Sequence, residues 1–288
     1  MFVQQLMNGF AMGSIYAIVA IGFVLIYKST EVVNFAQGEL MMVGAFITYT
    51  CVSYLQLSFW IALPITMIIM AIFGSIIERI VLRPLVGEAA FVIVMATIGL
   101  AIFLRSAAGM IWGYDTYSFK TGFSDVPVQL GSYVLSTSHI SVIGVTIILI
   151  VCLHLFFTRT KMGISMEAVS QNQFAAFLMG IGVKKVFSRI WAISAIVAAL
   201  GGILLTPIQF LNYNMGFIGL KAFPAAVLGG FGSIPGAIIG GIIIGVSESL
   251  AGVYLNDGFK DIFAWLILIV VLLIKPEGIF GTHQQKRV

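Results

Sequence analysis

The sequence predicts an all-α polytopic membrane protein with about eight hydrophobic segments, two of them broken or half-membrane helices. Three observations predict it. The 288 residues are 60% hydrophobic and only 9% charged, with a mean hydropathy of +1.10, whereas a soluble domain carries about 25% charged residues. Apolar runs recur at close to the roughly 20 residues that a bilayer core demands of a helix. Basic residues sit in the gaps between runs rather than along one stripe. The net charge of +4 therefore reads as membrane orientation and not as nucleic-acid binding.

The runs are, in order, 7–27, 38–57, 59–82, 90–112, 140–157, 187–211, 222–250 and 259–274. The first follows MFVQQLMNGF, which lacks a basic n-region, so it is expected as a retained helix and not a cleaved signal peptide. The second opens beside Asn34, Gln37 and Glu39. These polar groups suit capping and membrane-edge solvation. At a half-helix end they also suit contact with a charged substrate. The third ends on Glu78, Arg79 and Arg83, with Arg83 within helical reach of the other two. Interface anchoring and contact with a cytoplasmic partner both fit that cluster. The link that follows, with its arginines, reads as cytoplasmic under the positive-inside rule.

The fourth run holds Arg105 about two-thirds of the way along. A charge at membrane depth costs about 2.5 kcal/mol or more on insertion scales and is a functional candidate by default. Arg105 can also snorkel past Trp112 to the outer interface, or sit in an internal ion pair. Glu248 in the seventh run poses the same question. The gap 113–139 carries Asp115, Asp125, Pro127 and the single Lys120, and reads as an extracytoplasmic loop.

After the fifth run comes a loop, 158–188, rich in basic residues: Arg159, Lys161, Lys184 and Lys185, with Arg189 just beyond. It is expected in the cytoplasm. Its centre, KMGISMEAVSQNQFAAFLMGIG (161–182), is polar and helix-permissive. Such a segment on a multi-span protein suits a docking element for a soluble partner.

The tail, with Lys275, Lys286 and Arg287, also reads as cytoplasmic. Three simple crossings after the basic loop would leave it outside. Two short half-passes within 216–252, a stretch holding ten glycines, resolve the conflict. GGFGSIPG (229–236) would break a helix there. Broken helices in a membrane need protein or a water cavity around them and mark the substrate path of transporters. NFAQGELMMVGAF (34–46) and GLKAFPAAVLGGF (219–231) echo each other: a polar or charged residue, an aromatic, then small residues entering an apolar run. Gly232, Gly236 and Gly240, with Gly241 and Gly245, form smooth stripes at four-residue spacing. They suit close helix packing within the chain, a partner-subunit interface, or a pore-lining helix.

Catalytic and metal chemistry find no pattern. Cys51 and Cys152 lack disulfide or ligand spacing, and His139, His154 and His283 are scattered. No phosphate loop is present, so any ATP must be bound by another chain. The expectation is a transport subunit without catalytic residues, metal or cofactor, forming one transmembrane domain over 1–288.

The chain resembles the permease subunits of ABC importers for branched-chain (hydrophobic) amino acids. The resemblance runs through NGFAMGSIYAIVAIGFVLIY (8–27), VVNFAQGELMMVGAF (32–46), IERIVLRPL (77–85) and ATIGLAIFLR (96–105). It continues through RTKMGISMEAVSQNQFAAFLMGIGV (159–183), GLKAFPAAVLGGFGSIPGAIIGGIIIGVSE (219–248) and KPEGIFG (275–281). It implies a multi-pass bacterial inner-membrane protein that pairs with a homologous second permease. ATP-binding cassette ATPase subunits would dock on its cytoplasmic face, and an extracytoplasmic substrate-binding protein would deliver the substrate. The loop would be the coupling element, with Glu167, Ala168, Gln171, Asn172, Ala175, Ala176, Gly180 and Ile181 matching the family's pattern. Glu167 departs from the basic residues usual there. Met162, Met166, Phe174, Phe177 and Met179 are the expected apolar anchors for the partner. Asn34, Gln37 and Glu39 are the candidates for the substrate's polar groups. An ion-coupled secondary transporter or channel, and an ABC permease for urea or short amides, are the rival readings.

Overall fold

The computed structural model describes residues 2–122, 128–130, 133–255 and 257–281; Asp125, Pro127, His283, Lys286 and Arg287 lie outside the described residues. Among the described residues the regular structure is helical apart from a small hairpin, β1 (Val128–Leu130) and β2 (Tyr133–Leu135), paired antiparallel with Val128 opposite Leu135.

The helices are α1 (Phe2–Thr30), α2 (Gln37–Tyr49), α3 (Phe59–Ile77), α4 (Ala90–Trp112), α5 (Thr137–Arg159), α6 (Lys161–Gln171), α7 (Gln173–Leu178), α8 (Val183–Leu205), α9 (Gly216–Leu220), α10 (Ala222–Gly229), α11 (Ile234–Tyr254) and α12 (Asp257–Ile274). A π-helical turn, Thr50–Tyr54, prolongs α2, and another, Glu78–Leu82, prolongs α3. Six helices among the described residues are long and apolar enough to cross a membrane: α1, α3 with its extension, α4, α5, α8 and α11.

α1 is apolar around its whole circumference, and Gly13 to Ile26 is buried without a break. A helix of that kind belongs at the centre of the bundle. It packs most extensively on α11, and α8 packs on α2, α3 and α1. α4 and α5 bury only single narrow stripes, Thr97–Ala101–Leu104–Ala108 and Ser138–Val142–Thr146–Leu153, and present their other faces outward.

Both expected breaks are present. α1 ends at Glu31, whose φ of 57° is left-handed, and an extended stretch leads back into the bundle before α2 begins. α8 ends near Thr206, and the chain turns back through 206–215 before α9 and α10, a short apolar pass over Gly216–Gly229. The chain thus follows one pattern twice: a buried span, a break, a short helical segment, then two more helices. The buried span of each half packs on a long helix of the other half, α1 on α11 and α8 on α3.

The expectation of two half-passes over 216–252 is corrected. There is one short pass, and α11 then crosses whole, about 31 Å at 1.5 Å per residue. Pro235 is the reason. It sits in the first turn, where a missing N–H costs nothing, so it starts a helix instead of breaking one. The Ser233 hydroxyl caps that start by accepting from Gly236 N at 3.1 Å. The turn before it uses Gly230 at φ +91°. The tail closes over this turn, with Ile279 N donating to Leu228 O at 2.8 Å and Phe280 N to Gly229 O at 3.2 Å.

Candidate functional site

Two places in the bundle concentrate polar chemistry: the end bearing the basic loop, and the depth at which the half-helices begin.

At the basic end, two capped helices form an elbow. Thr160 Oγ1 accepts from Gly163 N at 3.0 Å and starts α6. Asn172 Oδ1 accepts from Ala175 N at 2.8 Å and starts α7. Of the expected coupling residues, Gln171, Asn172, Ala175 and Gly180 are exposed, Glu167, Ala168 and Ile181 are half-buried, and Ala176 is buried. Gly180 has φ +82° with open space beside it, the left-handed position that ends α7. Phe174, Phe177, Leu178 and Met179 are 65–83% exposed and form one apolar tip. Met162 and Met166 do not join it, which corrects the expectation for those two. They lie on the inward stripe of α6, Met166 buried beside Gly163 and Val169 and Met162 packed against the core.

The elbow is fastened to α1. Lys28 Nζ lies 2.6 Å from Glu167 Oε2, and Gln173 Nε2 donates to Ser29 O at 3.2 Å. Glu167 thus finds its cation on the chain's own α1, 139 residues away. No local spacing signals such a pair. A groove of about 840 Å³ runs between α7 and the end of α3, walled by Phe174, Phe177, Lys184, Lys185 and the forked Glu78–Arg83 pair. Arg83 donates there to Glu78 through Nε at 3.1 Å and Nη2 at 2.6 Å, and Arg79 stays exposed.

Deeper in, a cavity of about 310 Å³ lies between the end of α1, the start of α4 and α8. Its walls are largely apolar, with Asn34, Thr97, Glu31 and Glu88 among them.

The mid-depth junction separates the three substrate-path candidates. Asn34 Oδ1 accepts from Ala36 N at 3.1 Å, and its amide donates to Gln37 Oε1 at 3.3 Å. Gln37 binds Ser194 of α8 twice, through Oε1 at 3.1 Å and Nε2 at 3.4 Å. A methyl group at Gly22 would lie 1.9 Å from Gln37 Nε2, so glycine there makes room for that side chain. Asn34 and Gln37 are therefore occupied in holding the break against α1 and α8. Glu39 differs. It is fully buried and pairs with Arg105 of α4. Arg105 thus sits in an internal ion pair, with its guanidinium carbon 3.7 Å above the centre of the Phe217 ring.

The two half-helices start against each other. A methyl at Gly38 would lie 2.1 Å from Gly216 O, and one at Gly219 2.4 Å from the Gly38 Cα. Glu248 of α11, also buried, accepts from Lys221 at 2.7 Å and from the Tyr16 hydroxyl at 2.6 Å.

The glycine stripe faces inward. Methyl groups at Gly236 and Gly240 would meet the backbone of α10, at Gly229 O and Ala225 O. Those at Gly241 and Gly245 would meet the backbone of α1, at Ala17 and Gly13. Gly232 lies in the turn before α11 with open space beside it.

Residues 5–272 match the family model described as branched-chain amino acid transport system / permease component. The chain is 34% identical over 303 aligned positions to the high-affinity branched-chain amino acid transport system permease protein LivH of Salmonella typhimurium, covering 100% of this chain and 98% of that protein. It is 33% identical over 302 positions to the corresponding permease protein BraD of Pseudomonas aeruginosa, with the same coverage. Among solved structures, PsaBC from Streptococcus pneumoniae in complex with Fab shares the fold, at a TM-score of 0.51 and 14% identity over 96% of this chain and 92% of that one.

Proposed function

The chain belongs to the branched-chain amino acid permease family and is a multi-pass inner-membrane transport subunit, not an enzyme; from that premise we propose that it moves leucine, isoleucine, valine and similar apolar amino acids by ATP-driven alternating access. It pairs with a homologous permease. ATPase subunits dock at the basic end, which faces the cytoplasm, and a substrate-binding protein docks at the opposite end. ATP is held by the ATPases and by nothing in this chain.

The observation that carries the reading is the α6–α7 elbow. Its apolar tip is exposed where a lone membrane protein gains nothing from exposure, beside a groove of about 840 Å³. Closure of the ATPases pushes on Phe174, Phe177 and Met179. Lys28–Glu167 and Gln173–Ser29 pass that displacement to the end of α1. The break at 31–36 follows directly, and then the start of α2. A movement at the elbow is thereby delivered to mid-depth through a chain of direct contacts. The outward-facing sides of α4 and α5 suit a partner permease and lipid.

The test is radiolabelled leucine uptake with ATPases, partner permease and binding protein each omitted in turn. Uptake that needs every component and stops with a hydrolysis-dead ATPase supports the importer. Leucine uptake by this chain alone under an ion gradient supports a secondary transporter, and uptake of urea in place of leucine supports an amide permease.

A further inference from the structure

We propose that the Glu39–Arg105 pair is a contact site for the charged head of the transported amino acid, Arg105 receiving its carboxylate, Glu39 its ammonium, and Phe217 its apolar side chain. The proposal rests on the importer reading above and names the site within it.

The first ground is exposure. Arg105 keeps 22% of its side chain accessible, and Phe217 is 49% exposed, at a depth more than halfway along α4. A charge facing lipid at that depth is strongly disfavoured, so this face lies against a water-filled path or a partner. The second ground is unmet hydrogen-bonding capacity. Glu39 Oε2 and Arg105 Nε are buried and have no hydrogen-bond partner among the described residues. One free carboxylate oxygen and one free guanidinium N–H match the two ends of a zwitterion. Glu248, also buried, shows the contrast, since both of its oxygens are engaged, by Lys221 and Tyr16.

The third ground is position. The α2 and α9 starts converge here, with the Glu39 carboxylate against Gly216. Any movement that parts Gly38 from Gly216 uncovers the pair. A zwitterion then exchanges with it: the incoming carboxylate replaces Glu39 on Arg105, and the ammonium replaces Arg105 on Glu39. No charge is left unpaired at any stage. A neutral amide cannot do this, and an ion of one sign leaves one partner bare. The site therefore favours zwitterions over urea and over inorganic ions.

The test uses the assembled transporter in proteoliposomes and reads leucine uptake and binding-protein-stimulated ATP hydrolysis together. Glu39→Gln with Arg105→Gln removes both charges and leaves a neutral hydrogen-bonding pair. A purely structural ion pair suffers far less from losing both charges together than from losing one, because no uncompensated charge stays buried. A substrate site is impaired all the same, because two charge-assisted hydrogen bonds to the cargo are lost. Uptake is expected to fall about tenfold or more while stimulated hydrolysis stays within about twofold of wild type. Phe217→Ala, at a half-exposed position, is expected to lower the leucine-to-alanine uptake ratio about threefold or more with hydrolysis unchanged. Wild-type leucine uptake by the double variant, or an unchanged ratio for Phe217→Ala, would overturn the proposal. If the wild-type assembly carries no leucine, the importer reading has failed first, and the site falls with it.

Discussion

Replacing Gly38 by alanine isolates the contact between the two half-helices. Gly38 lies in a helix with ordinary backbone angles, so alanine suits its conformation and gains up to about 1 kcal/mol of helix propensity. Against this, the new methyl would lie 2.1 Å from Gly216 O and 3.0 Å from Gly216 C. Both are backbone atoms, with no flexible end to move aside. The α2 and α9 backbones must separate by roughly 1.3 Å to reach ordinary contact, and overpacking of this kind costs about 1–3 kcal/mol. The clash wins. At about 2–4 °C per kcal/mol the purified protein in detergent should melt several degrees lower. Leucine uptake at equal membrane abundance should fall, because the separated backbones displace Glu39 from Arg105. Gly99→Ala is the control: no atom lies within 4 Å of a methyl there, so only the propensity gain remains. The assay is thermal unfolding followed by intrinsic fluorescence, paired with uptake. A Gly38→Ala protein as stable and active as wild type, or a Gly99→Ala protein equally damaged, would refute the close approach of the half-helices.

Three further outcomes follow from the same contacts. Phe177→Asp changes an exposed side chain, so melting should be unchanged while leucine uptake and co-purification of the ATPases are lost; a shifted melting temperature would mean Phe177 packs within the chain. Glu167→Lys sets two cations face to face at partly exposed positions, with a stability effect under about 1 kcal/mol but impaired uptake. Adding Lys28→Glu should restore that uptake, and a double-mutant cycle without coupling would show that the pair transmits nothing. Lys221→Met leaves Glu248 with one cation fewer in the bundle and should destabilise the fold by about 3–5 kcal/mol. Pairing it with Glu248→Gln should recover most of the loss in a melting assay, and failure to recover would mean that other contacts at these positions dominate.

Much of this architecture was legible in the residues, because what a bilayer demands of a helix is local. Run length and apolarity alone select α1, α3, α4, α5, α8 and α11. Gly-rich 229–236 announces a turn because glycine admits the positive φ that Gly230 adopts. The exposed elbow was legible as polarity in an apolar chain. Its inward stripe was less so: Met162 and Met166 differ from Phe174 and Phe177 only in which side of a short helix meets the bundle.

The sequence by itself determined a polytopic helical membrane protein with breaks after α1 and α8, since composition, run length and turn chemistry act within a few residues of one another. Only the tertiary structure decided that Pro235 begins a full crossing and does not end a half-pass, because proline's effect depends on whether its missing N–H falls in a helix's first turn. Only the tertiary structure joined Glu39 to Arg105 across 66 residues and Lys28 to Glu167 across 139, and turned the α11 glycines onto α1 and α10. Charge pairing and backbone contact over such separations depend on how helices cross, and no periodicity within a single helix records that.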